Sequence, residues 1–202
     1  MHYTSQYPSP LGELLLAADD DGLTGVWFVG QKYFARSLAP DSVAREIPLF
    51  AQVKQWLALY FAGQEPELEI PIHMVGTAFQ KAVWRILRTI PYGQTMTYGA
   101  IARQVAEELG IRRMSPQAVG GAVGHNPISI LIPCHRVVGT NGSLTGYAGG
   151  LDRKVKLLTL EKAEVGSLFL PKRGTALQSK KGKTGKYVVL SRQRPILLNN
   201  II

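Results

Sequence analysis

Apolar and polar positions alternate one way before residue 76 and another way after it. Residues 9–29, SPLGELLLAADDDGLTGVWFV, form two apolar runs joined by Asp-Asp-Asp-Gly, which predicts a β-hairpin. Val43, Ile47, Phe50, Val53, Leu57, Tyr60 and Phe61 then recur near helical spacing, with Gly63 as the stop. Pro48 is tolerated only in a first helical turn, so this helix should begin close to it. The Glu- and Pro-rich stretch QEPELEIPIH reads as a loop.

From Gly76 the periodicity is helical. Thr77 is placed to cap a helix through AFQKAVWRILRTI, with Phe79, Val83, Ile86, Leu87 and Ile90 on one face and Pro91-Tyr92-Gly93 ending it. A second helix follows in TYGAIARQVAEELG, with Ile101, Val105 and Leu109 inward and Gly110 as the stop. Ser115 as cap and Pro116 at the first helical position open a short third helix, PQAVGGAVGHN. Helix, turn and short second helix give the outline of a helix-turn-helix. After the His125-Asn126-Pro127 turn, ISILIPCHRVV reads as a buried strand reaching Cys134 near its end. Gly139–Gly142 should turn, Tyr147–Gly150 should form a flexible loop, and DRKVKLLTLEKA should be a closing helix with Val155, Leu157 and Leu158 inward. The expected fold class is α+β: a small β-rich N-terminal domain over 1–75, a mainly helical domain over 76–165, and a tail over 166–202.

Composition narrows the class. A chain of 202 residues with 46% hydrophobic and 18% charged content is globular and buries a substantial core. No apolar run approaches the ~20 residues that cross a bilayer, and the first residues show no basic start followed by an apolar block, so neither membrane span nor signal peptide is expected. One cysteine excludes an internal disulfide and a Cys-rich zinc site; scattered histidines lack ligand spacing, and no metal or cofactor is expected. A reducing cytoplasm is the expected compartment. The net charge of +9 is concentrated in the tail, where Val165–Ile202 holds eight basic residues and no acidic one, leaving +1 for the rest. A solvated tail and a tail with non-specific phosphate affinity are both open readings.

The candidate chemistry lies in Ile130–Gly139, ILIPCHRVVG. Pro133 interrupts a strand ladder just before the sole cysteine, and His135 and Arg136 supply neighbours that favour thiolate. Adjacent side chains in an extended strand face opposite ways, so Cys134 and His135 meet only through a bend or a bridging water. Glu161 is the candidate carboxylate behind the imidazole and Asn126 the candidate for fixing the strand end. His2, His73 and His125 read as surface or turn residues. On Pro116–Asn126, Gly120 and Gly121 weaken a free helix but permit another backbone to come close, either a packed neighbour or a ligand.

The run ILIPCHRVV, preceded by AVGGAVGHNP and followed by GYAGG and LLTLE, resembles the signature of the O6-alkylguanine-DNA alkyltransferases, and the likeness extends upstream through GTAFQKAVWRILRTIPYGQTMTYGAIA. It covers roughly residues 76–163; residues 1–75 fit the family's N-terminal, RNase H-like domain by general pattern. The resemblance implies that Cys134 is the alkyl acceptor, His135 a water-linked base polarised by Glu161, and Asn126 the support of the active-site turn. It implies that Tyr98 lies near a flipped nucleotide, contacting phosphate or donating a proton. It further implies a base pocket of Pro133, Val137, Tyr147, Ala148 and Gly149, and DNA contacts from Tyr98, Gln117, Ala118, Gly121, Arg136 and Thr140. The partner it implies is double-stranded DNA containing O6-alkylguanine, approached through the minor groove by a monomer, with O4-alkylthymine left open as a second substrate. The family carries arginine where this chain has Gln117, with Arg112 and Arg113 nearby. Two other classes stay open: a non-enzymatic binder of alkylated DNA, against which Cys134 argues, and a cysteine hydrolase, which adjacent Cys-His geometry disfavours.

Overall fold

The first strands form where apolar residues alternate with polar ones and Gly or Asp residues turn the chain. In the structure, a computed structural model describing residues 1–140 and 142–164, β1 (Tyr3–Ser9), β2 (Gly12–Asp19) and β3 (Gly22–Phe28) make an antiparallel meander. The short β4 (Val43–Ala44) runs parallel to β1, giving the order β3-β2-β1-β4. The expected hairpin is thus β2–β3, with Asp19 accepting from the backbone N–H groups of Asp21 and Gly22 to shape its turn. β1 was not anticipated: its Pro, Ser and Gln residues blur the alternation. Every residue of β3 is buried, because both of its faces are covered. Gly25 belongs there for a steric reason. A Cβ at that position would lie 1.9 Å from the Trp27 ring.

α1 (Pro48–Phe61) begins at the expected proline and buries Phe50, Val53, Leu57 and Tyr60. The connection to the next helix is latched to the hairpin. Leu23 donates to Pro71 O, His73 donates to Leu23 O, and His73 Nδ1 lies 2.7 Å from Asp19 Oδ2. His73, Asp19 and Asp21 (3.9 Å away) are the one grouping of metal-ligating type among the described residues, and the His73–Asp19 hydrogen bond accounts for their approach.

α2 (Ala78–Arg88) carries the full capping box: Thr77 accepts from Gln80 N–H and the Gln80 side chain accepts from Thr77 N–H. α3 (Tyr98–Glu108) is capped by Thr97 and α4 (Pro116–Gly124) by Ser115. These three helices pack on one another around Val83, Trp84, Leu87, Ile101, Val105, Val119 and Val123. Leu109, expected inward, is 43% exposed, because the helix ends at Glu108 and the next turn carries Leu109 and Ile111 out to solvent. A two-stranded parallel pair, β5 (Met96–Thr97) with β6 (Val137–Val138), ties the start of α3 to the chain after Cys134. α5 (Leu151–Leu160) closes the described chain. No helix among the described residues is long and apolar enough to cross a membrane. The basic tail lies outside the described residues.

Candidate active site

Ile128–Val137 departs from the expected strand. Only a single bridge, Val26 to Ile128, attaches it to the N-terminal sheet. The backbone then coils: Ile132 N–H donates to Ile128 O, Cys134 N–H to Ile132 O and Arg136 N–H to Pro133 O, and Cys134–Arg136 form a 3-10 turn. The template is the Asn126 side chain. Its Oδ1 accepts from Ile128 N–H at 3.0 Å, and its Nδ2 reaches Ile132 O (2.8 Å), Ile128 O (3.2 Å) and Cys134 Sγ (3.0 Å). Ile130, a β-branched residue, is held at φ 72°, which a free chain disfavours and this network enforces. The turn removes the objection to a Cys-His neighbourhood, since consecutive side chains of a 3-10 helix diverge by about a third of a turn and not by half.

Cys134 is 4% exposed, and burial pushes its thiol above the ordinary range. The Asn126 amide opposes that rise by donating to sulfur, as does the field of Lys154. Lys154, also buried, donates from Nζ to Val137 O (2.5 Å) and Thr145 O (3.0 Å), and its desolvation lowers its pKa to about 8. Its place on α5 could have been inferred. Lys154, Leu157, Leu158 and Glu161 share the i, i+3, i+4, i+7 spacing of one inward face.

Glu161 is buried and organises the other half of the site. Its Oε1 accepts from Tyr60 OH (2.6 Å), Arg136 Nη2 (3.0 Å) and His135 Nε2 (2.7 Å); its Oε2 accepts from Arg136 Nε (2.8 Å) and Gly93 N–H (3.2 Å). Burial alone would raise this carboxyl, but the donors from His135 and Arg136 hold it down at about 2. Burial also lowers the His135 pKa, so the imidazole is neutral. A neutral imidazole beside an ionised carboxylate keeps its proton on Nε2. Nδ1 therefore carries the lone pair; it is buried and makes no hydrogen bond among the described residues. Tyr147 OH shares that condition, and its ring meets the His135 ring edge-on at 6.4 Å between centroids.

The remaining expected residues fall as follows. Tyr98, half-buried at the first turn of α3, donates to Thr145 O (3.1 Å) and lies beside Gly120. Pro133, Val137 and Gly149 are buried, with Tyr147 and Ala148 partly so; a Cβ on Gly149 would strike the Tyr147 ring at 2.6 Å. Gln117, Ala118 and Gly121 are exposed on α4, and Thr140 is exposed beyond β6. Arg136, expected at the DNA, has its guanidinium turned inward, where it donates to Glu161 and, at 2.6 Å, to Ile90 O. Tyr60, Gly93 and Lys154 join the site unanticipated, Tyr60 because its spacing on α1 marks it only as core.

Comparison with known proteins agrees with this geometry. A family model described as the 6-O-methylguanine DNA methyltransferase DNA binding domain matches residues 78–163, and one described as the ribonuclease-like domain of the same family matches residues 1–74. The methylated-DNA--protein-cysteine methyltransferase of Methanosarcina acetivorans is 44% identical over 159 residues, 79% of this chain and 97% of that protein. The protein of that name from Mycolicibacterium paratuberculosis is 47% identical over 154 residues, 76% of this chain and 88% of its own. Among solved structures, Mycobacterium tuberculosis OGT in complex with DNA superposes with a TM-score of 0.67 at 39% identity, covering 83% of this chain and 94% of that one. The chain belongs to the 6-O-methylguanine DNA methyltransferase family.

Proposed function

We propose that this protein repairs DNA by moving the alkyl group of O6-alkylguanine onto Cys134. The observation that carries the proposal is the pairing of a hydrogen-bonded buried thiol with a neighbouring imidazole whose Nδ1 lone pair is set free by Glu161. The Cys134 proton passes to Nδ1, directly or through one water, and Glu161 stabilises the imidazolium that results. The thiolate attacks the alkyl carbon, a C–S bond forms, the C–O6 bond breaks, and its electron pair leaves with the purine as that base is protonated. In this reading Tyr98, whose hydroxyl donates to Thr145 O and Gly146 O, turns that proton towards the base when the nucleotide arrives. The product is a thioether with no carbonyl for water to attack, so each chain acts once and needs no cofactor.

α3 and α4 serve in this reading as a helix-turn-helix, and α4 is the element that enters the minor groove. Gly121 supports this, since a Cβ there would meet nothing within 4 Å: the helix presents a bare face. A target base inside a duplex must first be flipped out, at a cost of a few kcal/mol. Gln117, on that bare face, is the side chain placed to fill the space it leaves. Residues 1–75 act as an RNase H-like structural domain and 76–165 as the DNA-binding and acceptor domain, in a monomer of the reducing cytoplasm. A duplex labelled on the alkyl carbon tests the reading. Label bound to protein, and absent with Cys134→Ser, is expected; binding without transfer would mean a damage sensor, and released label with turnover would mean a hydrolase.

A further inference from the structure

α4 contains no Lys or Arg, although most of the affinity of a protein for DNA comes from cations on phosphates. Its exposed face nonetheless continues into a basic one. Gln117, Gly121, Gly124 and His125 follow one side of the helix, and at its C-terminal end His125 stacks on Tyr33 with 4.0 Å between centroids and 24° between planes. Tyr33 comes from the turn segment after β3, in the N-terminal part of the chain. Two exposed cations are gathered over the same ring: Lys32 Nζ at 4.7 Å from its centroid and Arg36 Cζ at 5.8 Å, with Arg36 Nη1 also 3.4 Å from His125 Nε2.

This segment is pinned. Lys32 N–H donates to Ala148 O in the loop of the base pocket, and buried Gln31 accepts from Phe28 N–H and, at 3.4 Å, from Ser129 Oγ. Tyr33 and Ala35 are both held in the left-handed region, at φ 60° and 48°, a conformation that costs L residues of order 1 kcal/mol each and persists only where the surroundings impose it. Solvated surface cations need no such scaffold.

We propose that residues 31–36 form a second DNA-contacting element, with Lys32 and Arg36 aimed by Tyr33 at phosphates beyond the C-terminal end of α4. The neutral helix then sets position in the groove while the N-terminal domain supplies charge. The proposal rests on the reading of α4 as the DNA-facing helix. The experiment is the salt dependence of binding to an unmodified duplex, on which no transfer occurs. Each phosphate neutralised contributes about 0.9 to the slope of log affinity against log salt, so Lys32→Ala/Arg36→Ala should lower its magnitude by about 1.8. Tyr33→Ala, which removes no charge, should lower it too, and Arg45→Ala, an exposed cation on the far segment after β4, should not. A double variant with the parent slope, or an equal fall with Arg45→Ala, would overturn the proposal, and a parent slope with Tyr33→Ala would overturn the aiming by its ring. Methylation of unsubstituted Cys134 by a lesion-bearing duplex, measured in parallel, judges the repair reading independently.

Discussion

At the residue scale the site depends on Glu161, whose five donors make a buried charge tolerable. Removing one partner of such a buried pair costs about 3–5 kcal/mol, because the other charge is left uncompensated. Glu161→Gln should therefore lower stability by that amount in denaturant titrations and slow transfer further by releasing the His135 tautomer. The carboxyl is held at about 2 against an unfolded value near 4.5, so its stabilisation is fully present above pH 4.5 and is lost as pH falls towards 2. Stability of the parent should fall through that window on the order of 3 kcal/mol more than that of Glu161→Gln. Asn126 acts on the sulfur. Without its amide the buried thiol rises further, and a hydrogen bond to a charged group contributes about 1.5–3 kcal/mol. Asn126→Ala should slow single-turnover transfer at neutral pH roughly 10–100-fold, with its pH–rate profile displaced upward.

The elements differ in how plainly their residues announce them. α2 to α4 were legible because capping residues, proline and helical periodicity agreed, and the β2–β3 hairpin because Asp-Gly joined two apolar runs. The segment around Cys134 was not. Its Ile-Leu-Ile content favours a strand, yet three Asn126 hydrogen bonds to its backbone outweigh that local preference, and a side chain acting across eight residues leaves no periodic trace. The grouping of Cys134, His135, Glu161 and Asn126 was legible as a set of candidates, and the structure brings Asn126 to Cys134 and Glu161 to His135; the supports were not legible, since Tyr60 and Gly93 come from distant segments with ordinary local roles. Gly93 shows the cost of that closeness: at φ 73°, a Cβ would sit 2.7 Å from Glu161 O. Gly93→Ala should destabilise the fold by more than the roughly 1–2 kcal/mol of the left-handed conformation alone. Gly121→Ala is the contrast. Open space around it and better helix propensity predict a gain of up to about 1 kcal/mol in thermal unfolding, together with weaker DNA binding where α4 must approach closely.

At the scale of the whole molecule, the N-terminal part of the chain contributes a support for Glu161, through Tyr60 on α1, and a basic turn beside α4, a helix that itself carries no charged side chain. The two parts named by the family models are therefore joined by the Tyr60–Glu161 hydrogen bond at the candidate site and not only by the chain between them. In the proposed reaction Cys134 is consumed in a single irreversible transfer. Intact-protein mass after incubation with a duplex carrying one O6-methylguanine tests it most directly. One added methyl, about 14 Da, saturating at one per chain and absent in Cys134→Ser, is the result expected of a nucleophile that forms a stable thioether. An unchanged mass despite tight binding to the damaged duplex, or loss of the lesion without any mass gain, would contradict it.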